Sequence, residues 1–247
     1  MVSNRESKFI KSLQLKKFRS SEGKFLVEGA KNVLELIESD LEKDSLYVTR
    51  QFSEDNLDCL RQLKIEITEV KEADLIKIGT FKSNNAALAV ANIPNLPALD
   101  LSQDLTLALD RIKDPGNLGT IIRIADWYGI KNIVCSEDSV DCFNPKVVAA
   151  TMGSFTRVKV YYQSLEDLVR NVENVYATSL EGKNLHHAEF STPAVVLLGN
   201  ESSGLGDRLA DLATRKIKIP GYGGAESLNV AVSTAVFCDN FIRMIKK

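Results

Sequence analysis

Three short stretches of this 247-residue chain place polar side chains and glycines directly after apolar runs. The first runs from Asp110 through Lys113, Asp114, Pro115, Gly116, Asn117 and Gly119 to Arg123. Pro115 and Gly116 make a turn, Asn117 is placed to cap the next helix, and Gly119 permits close backbone approach. Arg123 follows Asn117 by a little under two helical turns, so both can serve the same end of a sheet. The second stretch is Gly199, Asn200, Glu201 and Gly204. Its glycines free backbone N–H and C=O groups to contact a ligand, and Glu201 is a carboxylate where no core role is expected. No Gly-Lys-Ser/Thr follows, so ATP hydrolysis is not supported. The third stretch ends a strand at Ile219 and Pro220 and delivers Glu226, Ser227, Leu228 and Asn229 to a terminal helix. Ser227 is a good cap for that helix. Taken singly, each stretch also reads as an ordinary capped helix or glycine turn.

The elements that must position these residues alternate regularly. Leu105–Leu109 and Ala194–Leu198 are short apolar runs of buried-strand type, with further strands expected at Asn132–Cys135, Val158–Tyr161, Asn174–Thr178 and Lys216–Ile219. Helices are expected at Leu118–Tyr128, Pro145–Ala150, Leu165–Val172 and Ser227–Ile245, the last apolar nearly all round and so buried. Continuous apolar strands between helices predict a mostly parallel sheet covered on both faces. Ligands of such sheets bind beyond the carboxyl ends of the strands, where the three stretches lie. Ahead of this part, Pro94 and Pro97 mark a linker, dividing the chain into residues 1–92, a linker at 93–103 and residues 104–247. The first part reads as a small α/β sandwich. A basic helix is expected near Arg5–Arg19 and helices near Ala30–Glu38, Glu54–Leu63 and Ala73–Ile78. Strands are expected at Lys24–Val27, Ser45–Val48, Ile65–Thr68 and Ala87–Ala91.

Composition narrows the class. Hydrophobic residues make up 44% and charged residues 26%, close to the average of a globular domain, so the chain can bury a core without staples. No apolar run approaches membrane-spanning length, and the N-terminus lacks the apolar core of a signal peptide. The four cysteines form no C-x-x-C pair, which argues against zinc and for reduced thiols in a cytoplasmic protein. The net charge is −2, yet Met1–Glu22 holds six basic residues, Lys16, Lys17 and Arg19 among them, against two acidic ones. A basic segment on an otherwise acidic chain can confine phosphate affinity to one surface, although a solvated helix face has the same composition. The pair His186-His187 lies in a polar stretch and reads as a surface loop, and Trp127 and Tyr128 read as helix packing.

Order and spacing together are more specific than any one stretch. Asn-x-Gly-x-x-x-Arg, then Gly-x-Glu-x-x-Gly after an apolar strand, then Ile-Pro…Ser-Leu-Asn-Val resembles the SpoU (TrmH-type) family of RNA ribose 2'-O-methyltransferases, of the SPOUT superfamily. The resemblance covers residues 104–245. Lys8-Phe-Ile-Lys-Ser-Leu, Lys16-Lys17-x-Arg19 and Gly23 to Gly29 are similar to that family's accessory RNA-binding domain, a less specific match. The resemblance implies a trefoil-knotted methyltransferase domain, S-adenosylmethionine as cofactor, an RNA partner and a homodimer, without metal or membrane. By position, Gly199, Ile219 and Leu228 would line the cofactor, with Thr178, Asn200 and Pro220 nearby. Lys16, Lys17 and Arg19 would meet RNA.

The family assigns Arg123 to the ribose hydroxyl. Its very high pKa makes alkoxide stabilisation a better role than proton abstraction. Asn117 and Asn229 would orient neighbouring groups, Glu201 would hold Arg123 or a residue facing it, and Ser227 would contact RNA or cofactor. One departure is Ala231, where the family often has a second serine. Asp141–Pro145 and Met152–Ser154 resemble a family segment near the knot. The accessory domain favours ribosomal RNA over tRNA by analogy. A non-catalytic RNA-binding protein with a degenerate methyltransferase fold remains an alternative. A dinucleotide-binding dehydrogenase lacks its G-x-G-x-x-G.

Overall fold

Strands with an apolar face must be covered, and this chain covers them in two units. The computed structural model describes residues 2–200 and 203–246. Packing groups Met1–Asn95 with Asp141–Thr156 in one unit, and Leu96–Val140 with Arg157–Lys247 in the other.

In the first unit, α1 (Asn4–Ser12) and α2 (Lys16–Glu22) lead into β1 (Lys24–Glu28), α3 (Ala30–Glu38), β2 (Lys43–Val48), α4 (Arg50–Asp55), α5 (Leu57–Arg61), β3 (Glu66–Glu69), α6 (Glu72–Ile78) and β4 (Ala87–Asn92). The sheet order is β1-β4-β2-β3, antiparallel except for the β2–β3 pair. The single basic helix expected over Arg5–Arg19 is in fact α1 and α2, separated at Leu13–Leu15. Ile10 near the end of α1 and Leu13 in the turn are both buried. Arg19 stabilises the turn: Nη1 donates to the carbonyls of Leu13 and Gln14, both at 2.9 Å, at the end of α1 where carbonyls lack helical partners. The helix expected at Glu54–Leu63 starts earlier, because Thr49 caps α4 through Phe52 N–H, and is split at Asn56.

The second unit begins with β5 (Leu105–Leu109), α7 (Pro115–Trp127) and β6 (Asn132–Cys135). The chain then supplies α8 (Pro145–Thr151) to the first unit. It returns with β7 (Lys159–Tyr162), α9 (Leu165–Val169), β8 (Val175–Asn184), β9 (Ala194–Leu198), α10 (Asp207–Asp211), β10 (Arg215–Lys218) and α11 (Val230–Ile245). The six strands are all parallel, in the order β10-β8-β9-β5-β6-β7. Central β5 and β9 are buried at every residue, as their unbroken apolar sequences require, whereas edge strand β10 buries only Ile217.

The units do not follow one cut along the chain. Phe143 and Phe155 set their rings 4.6 and 6.0 Å from Phe25 of β1, and Val148 is buried in the same cluster. Asp141 receives the Arg19 guanidinium, with Nη2–Oδ2 at 2.6 Å. Apolar surface and one ion pair therefore tie residues 141–156 to the first unit. None of the four cysteines forms a disulfide, and Cys135, Cys142 and Cys238 are buried. No described helix is long and apolar enough to cross a membrane.

Candidate active site

Neighbouring parallel strands end on the same edge of a sheet, so β10, β8, β9 and β5 bring their following loops together. Two hydrogen bonds join those loops. Asn229 Nδ2 donates to Asn117 Oδ1 at 3.0 Å, linking the start of α11 to the start of α7. Asn200 Nδ2 donates to the Arg111 carbonyl at 2.8 Å, linking the β9 and β5 loops.

Local sequence sets each loop. Asp114, not Asn117, caps α7: its Oδ1 accepts the Asn117 N–H at 2.8 Å, with Pro115 in the first turn where no donor is needed. Asn117 thus sits inside the helix with its side-chain oxygen turned to Asn229. Asn229, not Ser227, caps α11, accepting from Ala231 N–H at 2.9 Å and Val232 N–H at 3.4 Å. One amide therefore does two things, its oxygen capping α11 and its nitrogen holding Asn117. Ser227 stays in the preceding loop, exposed, beside Leu228, which is also exposed. Arg123 is exposed on α7, and its side chain makes no hydrogen bond or ion pair with another described residue. Glu201 lies outside the described residues.

The cofactor candidates occupy three adjacent strand ends. Gly199 and Asn200 follow β9, Thr178 lies in β8, and half-buried Ile219 and Pro220 follow β10. Thr178 Oγ1 donates to the Leu197 carbonyl at 3.1 Å. Asn200 and Gly204 exchange backbone hydrogen bonds at 3.1 and 2.9 Å, closing the loop on itself. A Cβ on Gly199 would meet the backbone of Gly204 and Leu205 at 2.3 Å, so only glycine permits that turn. Beside it, β8 makes an excursion: Lys216 pairs with Ala177 but Ile217 pairs with Lys183. Residues 178–182 thus leave the regular ladder next to the site.

Asp110 and Arg111 lie in the first of the three stretches but have no role assigned from sequence, and Ser136 and Ser139 are not singled out there. Arg111 has φ 55°, a left-handed conformation unusual for a side-chain-bearing residue. Its N–H donates to Ser136 Oγ at 2.8 Å, and Ile112 N–H donates to Ser139 Oγ at 3.1 Å. Asp110 hydrogen bonding and charge raise the Arg111 guanidinium above its ordinary pKa. The strand-end aspartate was visible in sequence, but the left-handed arginine carries no local signal.

In the first unit Lys16 and Lys17 are exposed, and Arg19 is not: it is 2% exposed and its guanidinium is taken by Asp141, Leu13 and Gln14. That corrects the reading of Arg19 as an RNA contact, because its donors already serve the fold. Trp127 is 84% exposed, against the expectation of packing, whereas Tyr128 is half-buried and donates to Asp239 Oδ1 at 3.4 Å. His186 and His187 are exposed, as expected of a surface turn. No metal-holding group of His, Cys, Asp or Glu occurs among the described residues.

The SpoU rRNA Methylase family profile matches residues 104–239, more than half of the chain. The chain belongs to the SpoU rRNA Methylase family. The profile of an MRM3-like substrate binding domain matches residues 4–89 ahead of it. The chain is 29% identical over 244 residues to the 23S rRNA (guanosine(2553)-2'-O)-methyltransferase RlmP of Bacillus subtilis, covering 94% of each chain. Among solved structures, a TrmH-family protein from Porphyromonas gingivalis is 35% identical at a TM-score of 0.87, covering 98% of this chain and 99% of that one. An AdoMet-bound rRNA methyltransferase from Sinorhizobium meliloti is 30% identical at 0.86, covering 98% and 96%. The fold of this SpoU chain is accordingly the SPOUT methyltransferase fold.

The chemistry of the strand-end groups fits S-adenosylmethionine. Glycine-rich loops offer backbone donors and acceptors, Thr178 a hydroxyl, and Ile219, Pro220 and the exposed Leu228 apolar surface. A neutral heterocycle with an apolar face and a polar edge suits that set.

Proposed function

We propose that this chain is an S-adenosylmethionine-dependent methyltransferase acting on the 2'-hydroxyl of a ribose in ribosomal RNA. The observation that carries the reading is the Asn229–Asn117 hydrogen bond at 3.0 Å, which joins the openings of α7 and α11, the helices that follow β5 and β10. Membership of the SpoU family and the rRNA methyltransferase names of its relatives support the substrate class.

Gly199, Asn200, Thr178, Ile219, Pro220 and Leu228 hold the cofactor, which when bound supplies a methyl group made electrophilic by its sulfonium. Arg123, exposed on α7, binds an RNA phosphate and the 2'-oxygen and stabilises the negative charge that grows as the hydroxyl proton leaves to solvent. Asn117 and Asn229 orient the groups around it. Glu201 is assigned to Arg123 or a facing residue by charge-assisted hydrogen bonds, and Ser227 to RNA or cofactor contact.

On this reading residues 1–92 bind substrate RNA through Lys16 and Lys17, residues 93–103 link, and residues 104–247 carry catalysis and the trefoil knot of the family. Exposed Trp127, Leu228 and Val232 support a homodimer that would cover apolar surface on and near α7 and α11. Four cysteines outside any disulfide support a cytoplasmic location. Arg123→Ala should abolish methyl transfer in a single-turnover assay and leave cofactor binding by calorimetry nearly intact. Substantial residual transfer would remove Arg123 from its role, and failure of the unaltered chain to bind cofactor would favour a non-catalytic RNA-binding module.

A further inference from the structure

The Asp110–Arg111 pair holds the β9 loop at several points, yet the proposed chemistry leaves it unused. Asp110 is buried, and its carboxylate accepts from Arg111 Nε at 3.2 and 3.1 Å and from Nη2 at 3.0 Å. The same carboxylate accepts the Gly206 N–H at 3.1 Å. Arg111 Nη2 donates onward to the Gly204 carbonyl at 3.2 Å, and the Arg111 carbonyl accepts from Asn200 Nδ2 at 2.8 Å. The loop is therefore gripped at Asn200, at Gly204 and at Gly206 by two consecutive residues of the β5 end. That grip is possible only because Arg111 adopts φ 55°. Ser136 and Ser139, in the loop after β6, hold it there by accepting the N–H groups of Arg111 and Ile112. The pair also lines an open cavity of about 450 Å³ with Ser136, Ser164, Glu166 and Arg208, so the guanidinium is not demanded by core packing.

We propose that Arg111, oriented by Asp110, is a positioning residue that holds Asn200, Gly204 and Gly206 of the β9 loop in the arrangement that binds cofactor. The inference rests on the reading of that loop as the S-adenosylmethionine site. A backbone conformation that side-chain-bearing residues rarely adopt is retained here, and what it secures is three fixed points on one loop. The pair acts before the cofactor arrives: it lowers the fraction of chains whose loop is closed wrongly. If losing the clamp leaves about a tenth of the chains competent, the apparent Kd rises about tenfold while turnover at saturating cofactor is preserved.

Arg111→Gly separates this role from a structural one, because glycine accepts φ 55° freely and keeps both backbone hydrogen bonds. The purified full chain carrying Arg111→Gly loses the pairing of Asp110 as it relieves the backbone, so it should unfold at a somewhat lower temperature than the parent and remain folded at the assay temperature. It should bind S-adenosylmethionine about tenfold more weakly by calorimetry. Its KM for the cofactor should rise with kcat unchanged. Without cofactor, amide exchange in peptides covering 199–206 should be faster than in the parent. An affinity within about twofold of the parent, or unchanged exchange in that loop, overturns the proposal. Asp110→Asn, which keeps the shape and weakens the pairing charge, should move the exchange rate the same way and provides the decision if Arg111→Gly folds poorly. Should the parent itself fail to bind S-adenosylmethionine, the cofactor reading fails instead, and the exchange measurement still tests the clamp.

Discussion

Asn229 shows how one side chain couples fold and site. Its oxygen caps the 16-residue helix α11 and its nitrogen reaches Asn117. The two roles are separable. Asn229→Ala loses both and should cost about 1 kcal/mol of stability from the missing cap. Asn229→Asp keeps a capping oxygen and adds charge favourable to a helix N-terminus, but has no donor for Asn117. It should melt like the parent and still methylate more slowly at saturating cofactor. Equal turnover for Asn229→Asp would mean that the amide pair serves the fold alone. The motif Ser-Leu-Asn-Val was legible in sequence, but which of Ser227 and Asn229 caps was not. Both are good caps, and only the exit path of the chain from β10 chooses between them.

At the scale of elements, the parallel sheet was legible because buried strands need unbroken apolar runs, as in β5 and β9. Irregularities were less so. The excursion of β8 is a backbone event beside Gly182, whose φ is 148° and where a Cβ would meet the Lys216 carbonyl at 2.4 Å. The β9 loop depends in the same way on Gly199. Gly199→Ala should push the Gly204–Leu205 peptide away, destabilise the chain by roughly 1–3 kcal/mol as an overpacking change and weaken cofactor binding. Thermal unfolding and calorimetry on the same sample check both halves. Normal affinity with normal stability would show that the turn relaxes and that close approach is not what the glycine provides.

Across the whole molecule, the basic N-terminal segment divides into residues with different work. Lys16 and Lys17 are exposed, whereas Arg19 is buried against Asp141 from a distant part of the chain. Removing one member of a buried ion pair leaves the other uncompensated, so Arg19→Ala should cost about 3–5 kcal/mol of stability. Lys16→Ala combined with Lys17→Ala should leave unfolding unchanged. It should weaken RNA binding at all sequences and lower the salt dependence by about one charge for each phosphate that a lysine no longer neutralises. Chemical denaturation and RNA binding at several salt concentrations separate the two classes. A stable Arg19→Ala variant with weakened RNA binding would reverse the assignment. Pattern alone could not make this distinction, since arginine in a basic run has the same composition whether it faces solvent or a carboxylate.

By itself the sequence determined what local physics controls. Apolar runs specify buried parallel strands, glycines and prolines specify the turns after them, and the order of Asn117, Arg123, Gly199, Ile219 and Asn229 marks a SpoU chain. The tertiary structure alone decided that Asn229 rather than Ser227 caps α11, that Arg111 turns left-handed to hold the β9 loop, that Arg19 is buried, and that residues 141–156 pack with β1. Each of these depends on a partner far away in sequence, such as Asp141 for Arg19 or Ser136 for Arg111. The stability of a cap, a strained backbone or a buried charge is set by what is packed against it.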